Sequence, residues 1–437
     1  MSLDALSGIL SADFASSDRL ARNIMVCLLL IIPAYIVWLK WTLDAKRHPR
    51  GRDPSAAELS KDEHNIISEP AAKFSGDGNH NASRATSSQD QSKAPTPKRK
   101  LPPTAYTVGW ICAISTEHVA ARALLDEEHE GPGDVPKNDY NNYTLGSVGE
   151  HDVVIAVLPA GEYGLAAAAS VAKDLIRSFS NVRFGLMVGV GGGAPSQEHD
   201  IRLGDLVISE HGSGHGGVFQ YDFGKTMQEK TFHATGYLDQ PPLFLRTAVN
   251  DLKSEYKMYG HKFDQTINSI LERNQRLREF RRPDPGTDRL YQSHVVHLDK
   301  EANCAMCCGN DPATLVSRRQ RERHEDNPTI HYGLIASGNQ VIKDATIRDK
   351  LIAEKDILCF EMEAAGLMSQ FPCLVIRGIC DYSDSHKNKE WQGYAAIVAA
   401  AYAKDLLCQV PKTRVKTKKS ISDIFRGSAT KSLTKTA

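Results

Sequence analysis

Hydrophobic and polar positions alternate along this chain in two different ways. Between residues 105 and 411, short runs of β-branched and aromatic residues are separated by alanine-rich or amphipathic stretches. The apolar runs predict strands over 106–114, 151–158, 184–190, 206–209, 330–337 and 373–379, and the 3.6-residue pattern predicts helices over 117–125, 165–179, 243–258 and 391–407. Strands alternating with helices point to an α/β fold, here a three-layer α/β/α sandwich with a central mixed sheet. The pattern lapses over 259–328, a polar, arginine-rich insertion.

Outside this domain the pattern changes. Residues 1–23 are polar and mildly acidic. The run 24–41 is apolar, with Pro33 inside it and Trp38 and Trp41 at its end, which predicts a transmembrane helix. Lys40, Lys46, Arg47, Arg50 and Arg52 follow the run, against Arg19 and Arg22 before it. That asymmetry predicts a single-pass membrane protein with its catalytic part facing the cytosol, or a soluble cytoplasmic protein if the run is not inserted. Residues 42–104 are poor in large apolar side chains and are expected to form a disordered linker. Residues 412–437 are basic, with Asp423 the single acid, and are expected to be a disordered tail.

Charge and cysteine content narrow the function classes. Lys+Arg and Asp+Glu both total 53, so nothing in the balance calls for a nucleic acid. Nine cysteines without regular spacing suggest a reducing compartment and not a disulfide framework.

The chemistry concentrates in the stretch 359–384, CFEMEAAGLMSQFPCLVIRGICDYSD. It reads as the start of a helix carrying Glu361, Met362 and Glu363, then a buried strand ending on Asp381. A carboxylate beyond an apolar strand lies where open α/β sheets bind ligands. Glu361 and Glu363 around a methionine suit a sugar, and equally suit the first turn of a helix, where acids favour the dipole. Glu117, after Ser115 and Thr116, reads alone as a helix cap. Gly161 and Gly164 permit a tight strand-to-helix turn, and the loop Val190, Gly191, Gly192, Gly193 can present N–H groups to an anion or a sugar oxygen. His211 and His215 lie among glycines with no partner ligands nearby. In the insertion, His294, His297, Cys304, Cys307 and Cys308 have the outline of a zinc site without a second well-spaced pair, so free thiols in a lid or partner surface are the expectation. No metal and no cofactor is expected.

Several of these motifs occur in one order: ICAISTEHVAA, MVGVGGGAP followed by DIRLGDLV, HYGLIASGNQVI, and the EME…GICD stretch. Together they resemble the purine and uridine phosphorylase superfamily, which includes the methylthioadenosine nucleosidases, in a fungal-type form. The resemblance covers roughly 106–411. It implies that Asp381 protonates a purine base, that Glu361, Met362 and Glu363 hold the ribose, and that Glu117 activates water. Val341 would pack on the purine and Ile342 would bond it through its backbone. The resemblance also implies a homo-oligomer and a small-molecule purine nucleoside as substrate, with water or phosphate as co-substrate. Met187 stands where hexameric phosphorylases carry an arginine, and Val190 where many members carry a serine or threonine. Losing fork donors removes the bonds that best hold a phosphate dianion. Hydrolysis is therefore expected, with phosphorolysis as the alternative and a tethered nucleoside sensor without turnover as a reading of another class.

Overall fold

The computed structural model describes residues 97–424, except 213, 229–232, 299–303, 310 and 323. The expected membrane span at 24–41, most of the linker and the end of the tail lie outside the described residues. Among the described residues no helix is long and apolar enough to cross a membrane.

Twelve strands and nine helices organise the described residues. The strands are β1 (Val108–Cys112), β2 (Glu127–Glu128), β3 (Tyr143–Val148), β4 (His151–Val157), β5 (Phe184–Gly193), β6 (Leu206–Ser209), β7 (Val218–Gln220), β8 (Gly224–Lys225), β9 (His233–Ala234), β10 (Ile330–Ser337), β11 (Ile357–Glu361) and β12 (Cys373–Asp381). The helices are α1 (Ser115–Ala123), α2 (Leu165–Ser178), α3 (Leu243–Tyr259), α4 (Phe263–Arg273), α5 (Cys304–Cys307), α6 (Ala345–Lys355), α7 (Ala364–Leu367), α8 (Gln392–Gln409) and α9 (Lys412–Lys416).

Every residue of β1 is buried, as a parallel strand covered on both faces requires. It pairs in parallel with β4 and β5, Val108 lying opposite Val153 and Phe184. β5 continues in parallel to β12, and β12 runs antiparallel to β6, so the sheet is mixed as expected. The sandwich expectation needs one correction. β11 pairs with β10 on one side and antiparallel with β5 on the other, so β5, β12, β6, β10 and β11 close on themselves. The closure brings Glu361, at the end of β11, to the same neighbourhood as the end of β12.

Helix α8 is buried at every position from Gly393 to Ala403, which is why it is apolar all round. It packs against β5, β12 and α1, while α2 packs against α7, β1 and β4. A Cβ at Gly378 would overlap the Ala395 carbonyl, so this glycine lets α8 lie directly on β12. Arg377, its neighbour in the strand, points to the opposite face.

Two segments expected to lie outside the core contribute to it. The insertion begins with α4, whose Phe263, Ile267, Ile270 and Leu271 are buried at helical spacing. Further on in it, Arg321 bonds the buried Asp205 at 2.7 Å, beside His331 of β10 at 3.0 Å. After α8 the chain is not a free tail: Val415 and Ile421 are fully buried, and the Ile421 N–H donates to the Val182 carbonyl at 2.8 Å. Polar contacts dock it as well: Arg183 donates to the Lys416 carbonyl at 2.8 Å and Ser422 Oγ to the Ser180 carbonyl at 2.8 Å.

Candidate active site

Four charged side chains meet at the carboxyl ends of β1, β11 and β12. Arg377 is wholly buried, and its guanidinium pairs with Glu361, lies 3.4 Å from Glu363 Oε2 and 3.9 Å from Glu117 Oε1. Three carboxylates surround one cation. The group is held in place by backbone donors.

Glu117 sits in the first turn of α1. Its Oε2 accepts the N–H groups of Ala113 and Ile114 at 2.6 and 3.2 Å, and its Oε1 accepts the Val190 N–H at 2.8 Å. The cap reading is thus correct as far as it goes, but the third bond joins α1 to β5. A carboxylate offers about four acceptor positions, so these bonds leave one, on Oε1 beside Arg377. Burial pushes the Glu117 carboxyl above its ordinary range, opposed by Arg377 and the three N–H bonds.

Glu361, Met362 and Glu363 do not lie on a helix. Glu361 is the last residue of β11, Met362 and Glu363 form the turn, and α7 has only four residues. The Glu361 carboxylate accepts from the N–H groups of Glu363 and Ala364 in addition to Arg377, which leaves it little capacity for a sugar. Glu363 is the freer acid: Oε1 takes the Gly164 N–H at 3.3 Å. Burial, reinforced by the neighbouring Glu361 and Glu117 charges and opposed by Arg377, pushes its carboxyl up to about 7. Burial works to lower the Arg377 guanidinium, but the three acids outweigh it and hold the group above its ordinary value.

Asp381 closes β12. Its Oδ1 accepts the Ser383 N–H at 2.9 Å and pairs with the Lys387 ammonium at 2.8 Å. A cavity of about 540 Å³ lies against Asp381, Cys380 and Lys387. A larger cavity, about 1320 Å³, is lined by His215, Phe219 and Ile352, and Glu117, Glu361 and Glu363 line neither of the two.

The glycine run is a strand and not an anion-binding loop. Gly191, Gly192 and Gly193 extend β5, pairing with Ile379 and Asp381 on one side and with Phe360 and Cys359 on the other. Their lack of side chains serves close approach. A Cβ at Gly189 would overlap the Glu117 carboxylate, and one at Gly192 would fall 2.7 Å from Asp381 Oδ1. So β5 is the floor on which the two halves of the site rest. Val190 is half-buried and enters through its backbone, and Met187 is fully buried in the core.

With this geometry in place, comparison with known sequences decides the family. The phosphorylase superfamily matches residues 107–410, more than half of the chain.

The chain belongs to the phosphorylase superfamily.

Among its relatives, a nucleotide-binding leucine-rich repeat (NLR)-like protein of Hyaloscypha variabilis is 47% identical over 316 residues, 72% of this chain. The chain spans only 30% of that protein's length. A 5'-methylthioadenosine/S-adenosylhomocysteine nucleosidase of Mycobacterium bovis is 24% identical over 318 residues, covering 70% of this chain and 98% of that protein. Among solved structures, the futalosine hydrolase of Helicobacter pylori superposes with a TM-score of 0.43 at 16% identity, over 69% of this chain and 97% of that one.

Within the superfamily domain, the remaining expected residues separate. Ile342 is buried in a small cluster with Ala194, Tyr221 and Phe360, whereas Val341 is 47% exposed. The loop before them is pinned: Ser337 Oγ accepts the Ala365 N–H at 2.9 Å, and Asn339 Oδ1 accepts the Leu165 N–H at 3.1 Å. Gly161 and Gly164 have positive φ, 84° and 91°, as their turn requires. Arg202 is bonded to Asp200, away from the carboxylates. Sequence reading missed Arg377 and Lys387. Arg377 had a signal, since a lone charge inside the apolar run of β12 has to find a buried partner. Lys387 had none, because only the turn after β12 brings it back to Asp381.

Proposed function

We propose that the chain is an enzyme that hydrolyses the N-glycosidic bond of a purine nucleoside. The observation that carries this reading is the charge balance around Arg377. Three carboxylates share one guanidinium, Lys387 is paired with Asp381, and Arg289 lines the cavity beside them. Such a site repels a phosphate dianion and tolerates a neutral nucleoside and water. The nucleosidase relative of M. bovis is consistent with that class.

In this mechanism the bond from C1′ to the base breaks with its electron pair moving into the purine, and the base takes a proton through Asp381, supplied by the Lys387 ammonium paired with it. Water attacks C1′ from the open acceptor position of Glu117, which takes the water's proton. A buried acid raised above its ordinary range is suited to that role. Glu363 and the half-buried Met362 hold the ribose, while Glu361 holds the turn and Arg377.

The test is release of free base from adenosine, inosine, guanosine and methylthioadenosine, with and without phosphate. Release in phosphate-free buffer with a free sugar is expected, and Asp381→Asn should lower it by ~100 to 10,000-fold. Release only with phosphate, giving a sugar 1-phosphate, refutes hydrolysis. Binding without release refutes enzymatic turnover altogether.

A further inference from the structure

The insertion's histidine and cysteines do not stay apart. His297 Nδ1 lies 3.2 Å from Cys308 Sγ, 3.6 Å from Cys304 Sγ and 3.1 Å from Cys307 Sγ. Cys308 lies just past α5, and its N–H donates to the Cys304 carbonyl at 3.0 Å, a helical turn that puts the two thiols on one side. The fifth member comes from far along the chain. His386, five residues beyond Asp381, brings a ring nitrogen within 4.8 Å of a ring nitrogen of His297 and of Cys308 Sγ.

His386 is the informative member. Its side chain is only 5% exposed, its ring stacks on Tyr291 at 4.1 Å, its Nδ1 faces Asp384 Oδ1 at 3.5 Å, and its Nε2 has no hydrogen-bond partner. A buried imidazole nitrogen left unsatisfied costs free energy unless something binds it, and a carboxylate on the other nitrogen is the usual way a ligating histidine is oriented. The ligand types around it are those of zinc. With zinc–sulfur and zinc–nitrogen bonds of ~2.3 and ~2.0 Å, ligand atoms in a tetrahedron lie ~3.3 to 3.8 Å apart, close to the separations of His297 from Cys304 and Cys308.

The geometry points to a structural Zn²⁺ site formed by His297, Cys304, Cys308 and His386. Two thiolates and two neutral imidazoles balance the charge of the ion, so the completed site is neutral and can be half-buried. Cys307, which is exposed, stands at the rim. Four protein ligands leave no open position, which makes the ion a clamp and not a Lewis acid. The clamp joins the insertion to the segment that follows Asp381, where the His297 N–H already donates to Ser385 Oγ at 2.9 Å. The sequence spacing concealed this because the second pair is completed by a residue 78 positions beyond Cys308 (386 − 308). The site stands independently of the reaction proposed above.

The full chain, purified under reducing conditions without chelator, should carry one equivalent of zinc by elemental analysis. After chelation, Co²⁺ alone should restore the visible absorption of a tetrahedral ion and its thiolate charge-transfer bands. His386→Asn, Cys304→Ser and Cys308→Ser should each lose the metal, while Cys307→Ser and the distant Cys408→Ser should keep it. Wild-type protein that binds neither ion, or that contains a disulfide among the three insertion cysteines, overturns the proposal regardless of how the variants fold. Metal retained in both His386→Asn and Cys308→Ser overturns it equally, and loss in Cys307→Ser with retention in Cys304→Ser overturns this ligand set.

Discussion

Replacing Arg377 by methionine keeps most of the volume of its buried stem and removes the one cation shared by Glu117, Glu361 and Glu363. All four side chains are nearly inaccessible to water, so solvent cannot take over the lost pairing. Removing one partner from a buried ion pair costs ~3 to 5 kcal/mol, chiefly because the opposite charge is left uncompensated. For a folded region of this size, ~2 to 4 °C of Tm is lost per kcal/mol, so a fall of roughly 10 °C is expected near neutral pH. The carboxylates have an escape. Without the guanidinium to favour their ionised forms, they take up protons, and the deficit shrinks as the pH falls. Thermal unfolding of wild type and Arg377→Met, at mildly acidic and mildly alkaline pH, measures both effects. Adding Glu361→Gln to Arg377→Met should recover part of the loss, since it removes one of the stranded charges. An Arg377→Met protein as stable as wild type, or one destabilised equally at both pH values, would refute the account of this cluster.

Other consequences follow from the same packing. Glu363, pushed up to about 7 from an ordinary 4.5, holds a proton in the folded state that the unfolded chain has released. Its stabilising contribution is complete below the lower value and is lost as the pH rises through the upper one. That is on the order of 3 kcal/mol, and Glu363→Gln should flatten that part of the stability profile in parallel melts. Gly378→Ala places a methyl group against the Ala395 carbonyl and should cost ~1 to 3 kcal/mol in denaturant unfolding. Ile421→Ala should cost ~2 to 4 kcal/mol if the segment after α8 is docked; no change in unfolding midpoint would show that it is not.

The order of strands and helices was legible in the chain because each buried element carries its own periodicity. β6 and β10 match their expected ranges, and α8 lies close to the alanine-rich run. Glu117, Glu363 and Asp381 were visible as acids beside strand ends, a local property, although their roles came only with the resemblance. What periodicity does not encode is which distant segments touch. The closure of β11 on β5, the three acids gathered by Arg377, the pairing of Lys387 with Asp381 and the arrival of His386 beside the insertion cysteines all depend on long-range packing. The glycine run shows the difference in one place. By composition it is a loop; it is a strand because it pairs with β11 and β12, and glycine suits it there because Cys359, Ser383 and Asp381 occupy the space that side chains would need. Local pattern records what a residue prefers, and only the folded chain records which neighbours make that preference affordable or overrule it.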